Sequence, residues 1–517
     1  MKIPGRLRPS ADGGSKDGAA GDGGTPDGAK VDGAAPADAG PPPDASPFGR
    51  WQPVGNPPFA ADVALLLTDG TVMVHDYEEN ANWWRLRPDS NGSYVNGTWS
   101  STAPMPAGYE PLFFASAVLK DGRVVVIGGE YNAEAPIETS LGALYDPSID
   151  EWVPIEAPQP LDTWYALGDA PSVVLPDGTF MIGAITGEQV ALFDERTLTW
   201  TNVGAFGPDA GIGKVDQNAE EGWTLLPNGK VLTIDVGVGL QVSETTHAEL
   251  FDPGTREWSS AGSTGMPLAV SNPVYEIGPA ILLPNGSVFA TGATANTAIY
   301  SPTGTWAAGP SFPTTAQGQL DIVDGCAALL PNGNVLCAAS PGDYQQGSNF
   351  YEYDGTALNQ VPSTPNAAAD SSFNIFFLVL PTGEVLSTDD STDIEIYAAT
   401  GAPNPAWAPT ITSAPTTVVR GTTYPLRGTQ FNGLSQAVAY GDDFQGATNY
   451  PLVRIANTAS GQVTYGRTHD HSTMGVATGA AAVSTLFEAP SSTPTGPSML
   501  VVVANGIAST PVAVTVQ

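Results

Sequence analysis

Seven times along this chain an apolar run meets a two-residue turn ending in glycine, followed by a second apolar run. ALLLTDGTVMV surrounds Gly70, ASAVLKDGRVVVIGG Gly122, PSVVLPDGTFMIG Gly178 and WTLLPNGKVLTI Gly229. AILLPNGSVFATG, AALLPNGNVLCA and FLVLPTGEVLS repeat the pattern at Gly286, Gly333 and Gly383. The glycines are 52, 56, 51, 57, 47 and 50 residues apart. Asp-Gly or Asn-Gly between apolar runs is a strong hairpin signal and predicts a type I′ turn, with φ > 0 at both central residues. Thr382-Gly383 is a weaker copy. A second pair of strands follows each hairpin, as in GALYDPSIDEWVPI and AELFDPGTREWSSAG. There Asp-Pro turns the chain and a tryptophan packs the outer strand. Trp99, Trp152, Trp200, Trp258 and Trp306 hold this place, and Leu358 takes it in the sixth unit. Four strands per unit at this period predict an all-β protein built on a seven-bladed β-propeller.

A ring of blades must close. The seventh unit, IEIYAATGAPNPAW, lacks an outer strand, whereas FGRWQPVG at 48–55 reads as an outer strand with no blade before it. Trp51 and its neighbours are therefore expected to complete blade seven, which removes an exposed edge. The propeller should span 48–407. From 408 to 517 the pattern becomes seven alternating strands, among them YPLVRIAN, SMLVVVAN and TPVAVTVQ, which predict an immunoglobulin-like sandwich. Residues 1–47 contain 34 Gly, Ala, Pro or Asp and no aromatic side chain. Such a segment buries too little apolar surface to offset its ordering entropy, so a disordered spacer is expected. It carries no visible signal peptide. Its composition is similar to spacers of bacterial surface lipoproteins, which implies an extracellular or cell-surface location; a misassigned start is the competing reading.

The chain has 53 acidic and 18 basic side chains and a formal charge of −35. That balance argues against nucleic acid as partner. No apolar run is long enough for a transmembrane helix. A monomer is expected. Two cysteines, Cys326 and Cys337, exclude a disulfide framework. Folded about Asn332-Gly333 they become diagonal neighbours on one face, at the edge of disulfide reach. A bond and two buried thiols both remain open.

The propeller followed by APTITSAPTTVVRG, AVAYG, PLVRI and VVVANGIASTPVAVTV resembles galactose oxidase and the glyoxal oxidases, kelch-type propellers with a C-terminal sandwich, over about residues 48–517. The segment RTHDHSTMGVATG is similar to one found in bacterial kelch-repeat proteins. The resemblance implies a copper ion held by two Tyr and two His, with a Cys cross-linked to one Tyr. The position implied for that Cys is Phe113 here, and that for the equatorial Tyr is Asp169, with Tyr165 nearby. The implied Tyr-His pair is Phe373-Asn374, and the sandwich hairpin YGDDFQGATNYP offers Asp442, Asp443, Phe444 and Gln445 but no His. The fold is therefore expected without copper-radical chemistry.

Nine residues before each turn glycine stand Ala61, Phe113, Asp169, Glu220, Ile277, Asp324 and Asn374, with Asp62, Glu221 and Glu276 beside them. These positions should line the channel. Carboxylates crowded on one axis repel unless a cation joins them or they stay protonated. Asp169, Glu220, Asp324 and Asp443 are candidate ligands for Ca2+, which takes six to eight oxygens. A solvated acidic rim is the competing reading. Asn374, Trp164 and Tyr165 are candidate ligand contacts, the two aromatics as a stacking face for a sugar. His469 and His471, two apart on a strand, could share a metal with Asp470, or be a polar loop motif. His75 with Asp76, Glu78 and Glu79 reads as a surface acidic patch. No GxSxG elbow, P-loop or GxGxxG follows a strand. The expected function is an exported binding protein for a glycan or protein partner, with Ca2+ as the candidate cofactor. The alternative is a carbohydrate-active enzyme of the same fold, in which Glu220 and Asp324 act as acid and base.

Overall fold

In the first hairpin Gly70 N–H donates to the Leu67 carbonyl (2.9 Å), and Leu67 N–H donates to the Thr71 carbonyl (2.8 Å). The same two bonds recur at Gly122, Gly178, Gly229, Gly286, Gly333 and Gly383. Only the glycine is left-handed, at +75° for Gly70 and +88° for Gly122; the preceding Asp or Asn is not. This is a three-residue loop, a type I turn followed by a left-handed glycine, rather than the type I′ turn expected. The Asp or Asn serves as an acceptor: Asp69 Oδ1 takes the Thr71 N–H (3.0 Å), and Asn228 Oδ1 that of Lys230 (3.1 Å).

The extra loop residue corrects the cysteine expectation. It shifts the sixth hairpin by one, so Ala327 rather than Ala328 faces Cys337. A one-residue slip flips every side chain to the other face. Cys326 and Cys337 are accordingly free thiols buried in separate apolar clusters.

The computed structural model describes residues 48–517, except 56, 134, 204–213, 239–244 and 271–274. The spacer expected at 1–47 lies outside the described residues. The architecture is all-β, with only two short 3-10 turns, Ser372–Asn374 and Pro405–Trp407, among the described residues. Seven antiparallel blades follow one another, six of them four-stranded sheets and the sixth in sequence a four-stranded blade extended by Leu320–Asp321 and Val438–Ala439, and their innermost strands begin the hairpins described above. In blade seven, Phe376–Val379, Val385–Thr388 and Glu395–Ala399 come from the end of the propeller sequence, and Gly49–Pro53 supplies the fourth strand. Trp51 lies opposite Tyr397, the closure expected.

Outer tryptophans tie five of the seven blades to the one before; in blade four the Trp258 indole has no hydrogen-bond partner, and blade six has Leu358 instead. Indole N–H groups of Trp99, Trp152, Trp200 and Trp306 reach the carbonyls of Gly55, Ala103, Glu156 and Ala261 at 3.1, 3.0, 2.7 and 3.0 Å. Trp51 closes the series on Pro362 (2.6 Å). Three of these rings also pack on an aromatic directly across their own hairpins, Trp152 on Tyr145, Trp200 on Phe193 and Trp306 on Tyr300, with centroids 4.9 Å apart. Beyond the propeller, strands from Thr410–Ser413 to Val512–Val516 form a second sheet system around Val418, Leu426, Phe431, Val453, Phe487, Leu500 and Val514.

Candidate binding site at the propeller axis

Four positions read as channel-lining share an uncommon backbone. Phe113, Asp169, Glu220 and Asp324 have φ of +53°, +47°, +62° and +50°. A non-glycine residue there costs about 1–2 kcal/mol, so its surroundings must hold it. They do so across blades: Glu220 N–H donates to the Asp169 carbonyl (3.1 Å), and Asp324 N–H to that of Ile277 (3.0 Å).

The axis is filled by a segment between strands of the second sheet system. Val438–Ala439 pairs with Ala327–Ala328, the inner strand of blade six. Gln436 accepts from Leu225 N–H of blade four (2.8 Å). Tyr440 donates to the Phe373 carbonyl (2.7 Å) and stacks on Phe376 of blade seven. Tyr450 bonds the Leu66 carbonyl of blade one. One segment can touch inner strands of so many blades only along the axis. Gly441 is where it passes closest: a Cβ there would lie 2.7 Å from the Ile277 carbonyl and 3.0 Å from Asp324 Oδ1.

Asp442 follows. Its carboxylate joins two groups whose ligand atoms lie within 4.8 Å of one another, Asp169–Glu220–Asp442 and Glu276–Asp324–Asp442. All five acids are buried. The sequence thus places Asp169, Glu220 and Asp324 together, with Asp442 bridging them. Asp443 lies outside both groups; its Oδ1 accepts the Phe444 N–H (2.8 Å). The choice between two adjacent aspartates depends on the turn between them, which pattern does not encode.

The other candidates go elsewhere. Asn374 is buried and donates to Asp390 Oδ2 (2.8 Å). Trp164 is wholly inside the apolar core and offers no stacking face, whereas Tyr165 is 55% exposed. His469 Nδ1 meets Asp470 (2.6 Å) and His471 Nδ1 meets Thr485 (2.9 Å). Neither belongs to a group of three ligating side chains among the described residues. Burial holds the His471 imidazole down to a pKa of about 3, so it is neutral. His75 corrects the surface-patch expectation: it is buried between Asp62 (2.8 Å) and the Asn80 carbonyl (2.9 Å), against Trp83 and Phe114. Asp62 is thereby drawn off the channel.

The donor set does not suit a copper–tyrosyl centre. Phe113, Asp169, Phe373 and Asn374 offer no thiol, imidazole or phenol, and both thiols are buried in blade six. Carboxylate oxygens alone suit a hard cation.

No family model matches the chain. A stretch of 107 residues is 29% identical to the Kelch-like protein terF of Aspergillus terreus, covering 20% of this chain and 22% of that protein. The chain therefore matches about a fifth of that relative's length. A fungal alcohol oxidase in complex with copper superposes with a TM-score of 0.47 at 14% identity, over 91% of this chain and 99% of its own. Virginiamycin B lyase from Staphylococcus aureus gives 0.46 at 9%, over 68% and 99%. At such scores these likenesses add nothing to what the strand order itself shows.

Proposed function

We propose that this protein is a cell-surface binding protein whose propeller axis holds Ca2+ and captures a glycan or protein ligand as a monomer. One observation carries the reading: Asp442, delivered from outside the propeller, is shared by two three-carboxylate groups drawn from blades three to six. Oxygens bound to one Ca2+ ion stand no more than about 5.2 Å apart at its usual bond lengths, so each group is compact enough to share one ion. A cation there offsets the mutual repulsion of five buried acids and links propeller to plug. In this reading residues 48–407 are the scaffold, an immunoglobulin-like sandwich at 408–517 delivers the plug, and 1–47 is the surface spacer. A propeller scaffold presents loops of several blades around one axis, which suits capture.

The test is thermal. Ca2+ should raise the melting temperature, by the equivalent of about 2.7 kcal/mol at a hundredfold excess over Kd. Asp442→Asn should remove most of that gain, and Asp443→Asn should leave it. A glycan array read with Ca2+ and with chelator then identifies the ligand class. Melting curves indifferent to both Ca2+ and chelator sink the proposal.

A further inference from the structure

Blade four carries a second set of ionisable groups, apart from the axis. Its second strand, Val231–Ile234, pairs with its third, His247–Asp252. Asp235 follows the second strand directly and donates its N–H to the His247 carbonyl (3.1 Å). Alternation puts His247 and Glu249 on one face, since they are two apart on a strand. Asp235, His247 and Glu249 thereby offer ligand atoms all within 4.8 Å of one another.

Three features make this more than a patch of acids. First, Asp235 is fully buried and its Oδ1 has no hydrogen-bond partner, while its Oδ2 meets His247 Nδ1 at 2.5 Å. Second, the ligands are held from outside. Val215 N–H reaches both Glu249 oxygens (3.2 and 3.1 Å), and Ser260 Oγ meets His247 Nε2 at 3.1 Å. A partner on the far ring nitrogen fixes tautomer and orientation, the usual support of a metal-binding histidine. Third, the charge is unbalanced. Lys214, buried against Trp258, bonds Asp216 and lies 2.6 Å from Glu221 and 3.6 Å from Glu249. One ammonium faces four carboxylates, Asp216, Glu221, Asp235 and Glu249. The His247 side chain is 35% exposed, which leaves a way in.

We infer that Asp235, His247 and Glu249 form a binding site for a divalent transition-metal cation of the Zn2+ class. An imidazole nitrogen with two carboxylates favours such ions over Ca2+ or Mg2+, which prefer oxygen alone. The ion takes the place of the proton between His247 Nδ1 and Asp235 Oδ2: from the imidazolium that proton leaves to solvent, and from the neutral ring it moves by way of solvent to Nε2. In either case the Nε2–H donates to Ser260 Oγ. The site is independent of the axial carboxylates.

Calorimetric titration of the full chain with Zn2+, in excess Ca2+, tests this. One Zn2+ per chain is expected, with affinity at least tenfold weaker in His247→Gln and Glu249→Gln and unchanged in Asp442→Asn. No uptake, uptake that survives both substitutions, or uptake lost in Asp442→Asn overturns the inference. If the two variants do not fold, zinc-edge anomalous diffraction from Zn2+-soaked crystals of the unsubstituted protein decides. A peak between the three side chains supports the site, and a peak elsewhere or none refutes it.

Discussion

Glu395 lies in the third strand of blade seven, only 4% exposed. Burial, followed by the charges of Asp389, Asp393 and Asp370, pushes its pKa from 4.5 to about 8. The unfolded chain ionises this group near its ordinary value, whereas the folded protein keeps it protonated. Below about pH 4.5 it therefore costs nothing. Between there and pH 8 the folded state loses about 1.4 kcal/mol per pH unit at most. Glu395→Gln should accordingly raise the melting temperature little at pH 5 and clearly at pH 8, by scanning calorimetry. An equal gain at both pH values would place the carboxyl in an ordinary environment. Trp152 illustrates a different residue-scale effect. Trp152→Phe keeps an aromatic ring on Tyr145 but leaves the Ala103 carbonyl without its indole donor. A loss of about 0.5–1.5 kcal/mol in urea unfolding is expected from the missing hydrogen bond, plus a little from the smaller ring.

The plug is the element on which the axial site depends, and Gly441 is its narrowest point. A methyl group there meets backbone oxygen at 2.7 Å, which a side chain's flexibility cannot relieve. Gly441→Ala should cost roughly 1–3 kcal/mol, as overpacking does, and should reduce any thermal gain from Ca2+ by displacing Asp442. A variant that melts with the parent and keeps the Ca2+ response would show that the plug slides freely. The hairpins illustrate the same dependence of side chains on backbone. Changing a two-residue turn to a three-residue loop moved Cys326 to the opposite face from Cys337, and that alone separates the thiols.

At the scale of the molecule, the ring is closed by five residues that precede the whole propeller in sequence. Trp51 packs on Phe350 and Tyr397 with centroids 5.1 and 4.9 Å away, and it bonds blade six. Trp51→Ala should lower stability by about 3 kcal/mol, within the range for large aromatic truncations. Removing residues 48–53 should do more, because Glu395–Ala399 becomes an unpaired edge open to other chains. Light scattering on heating should then report aggregation at a lower temperature than for the parent. A deletion variant that melts and scatters light like the parent would show that closure contributes nothing.

The seven-blade architecture and its closure by Trp51 were legible in the sequence, because strand alternation and turn glycines are local properties repeated at a fixed period. The ring of Asp169, Glu220 and Asp324 was legible for the same reason, since each occupies one place in the repeat. What the repeat does not encode, only tertiary structure decided. Asp442 rather than Asp443 joins the ring through the conformation of a plug that belongs to no repeat. His75 and Trp164 left the surface because neighbouring blades cover them. The Asp235–His247–Glu249 set arises from pairing two strands whose register no local signal fixes, although His-x-Glu on a strand already puts two ligands on one face. Local sequence sets which side chains alternate; long-range packing sets which of them meet.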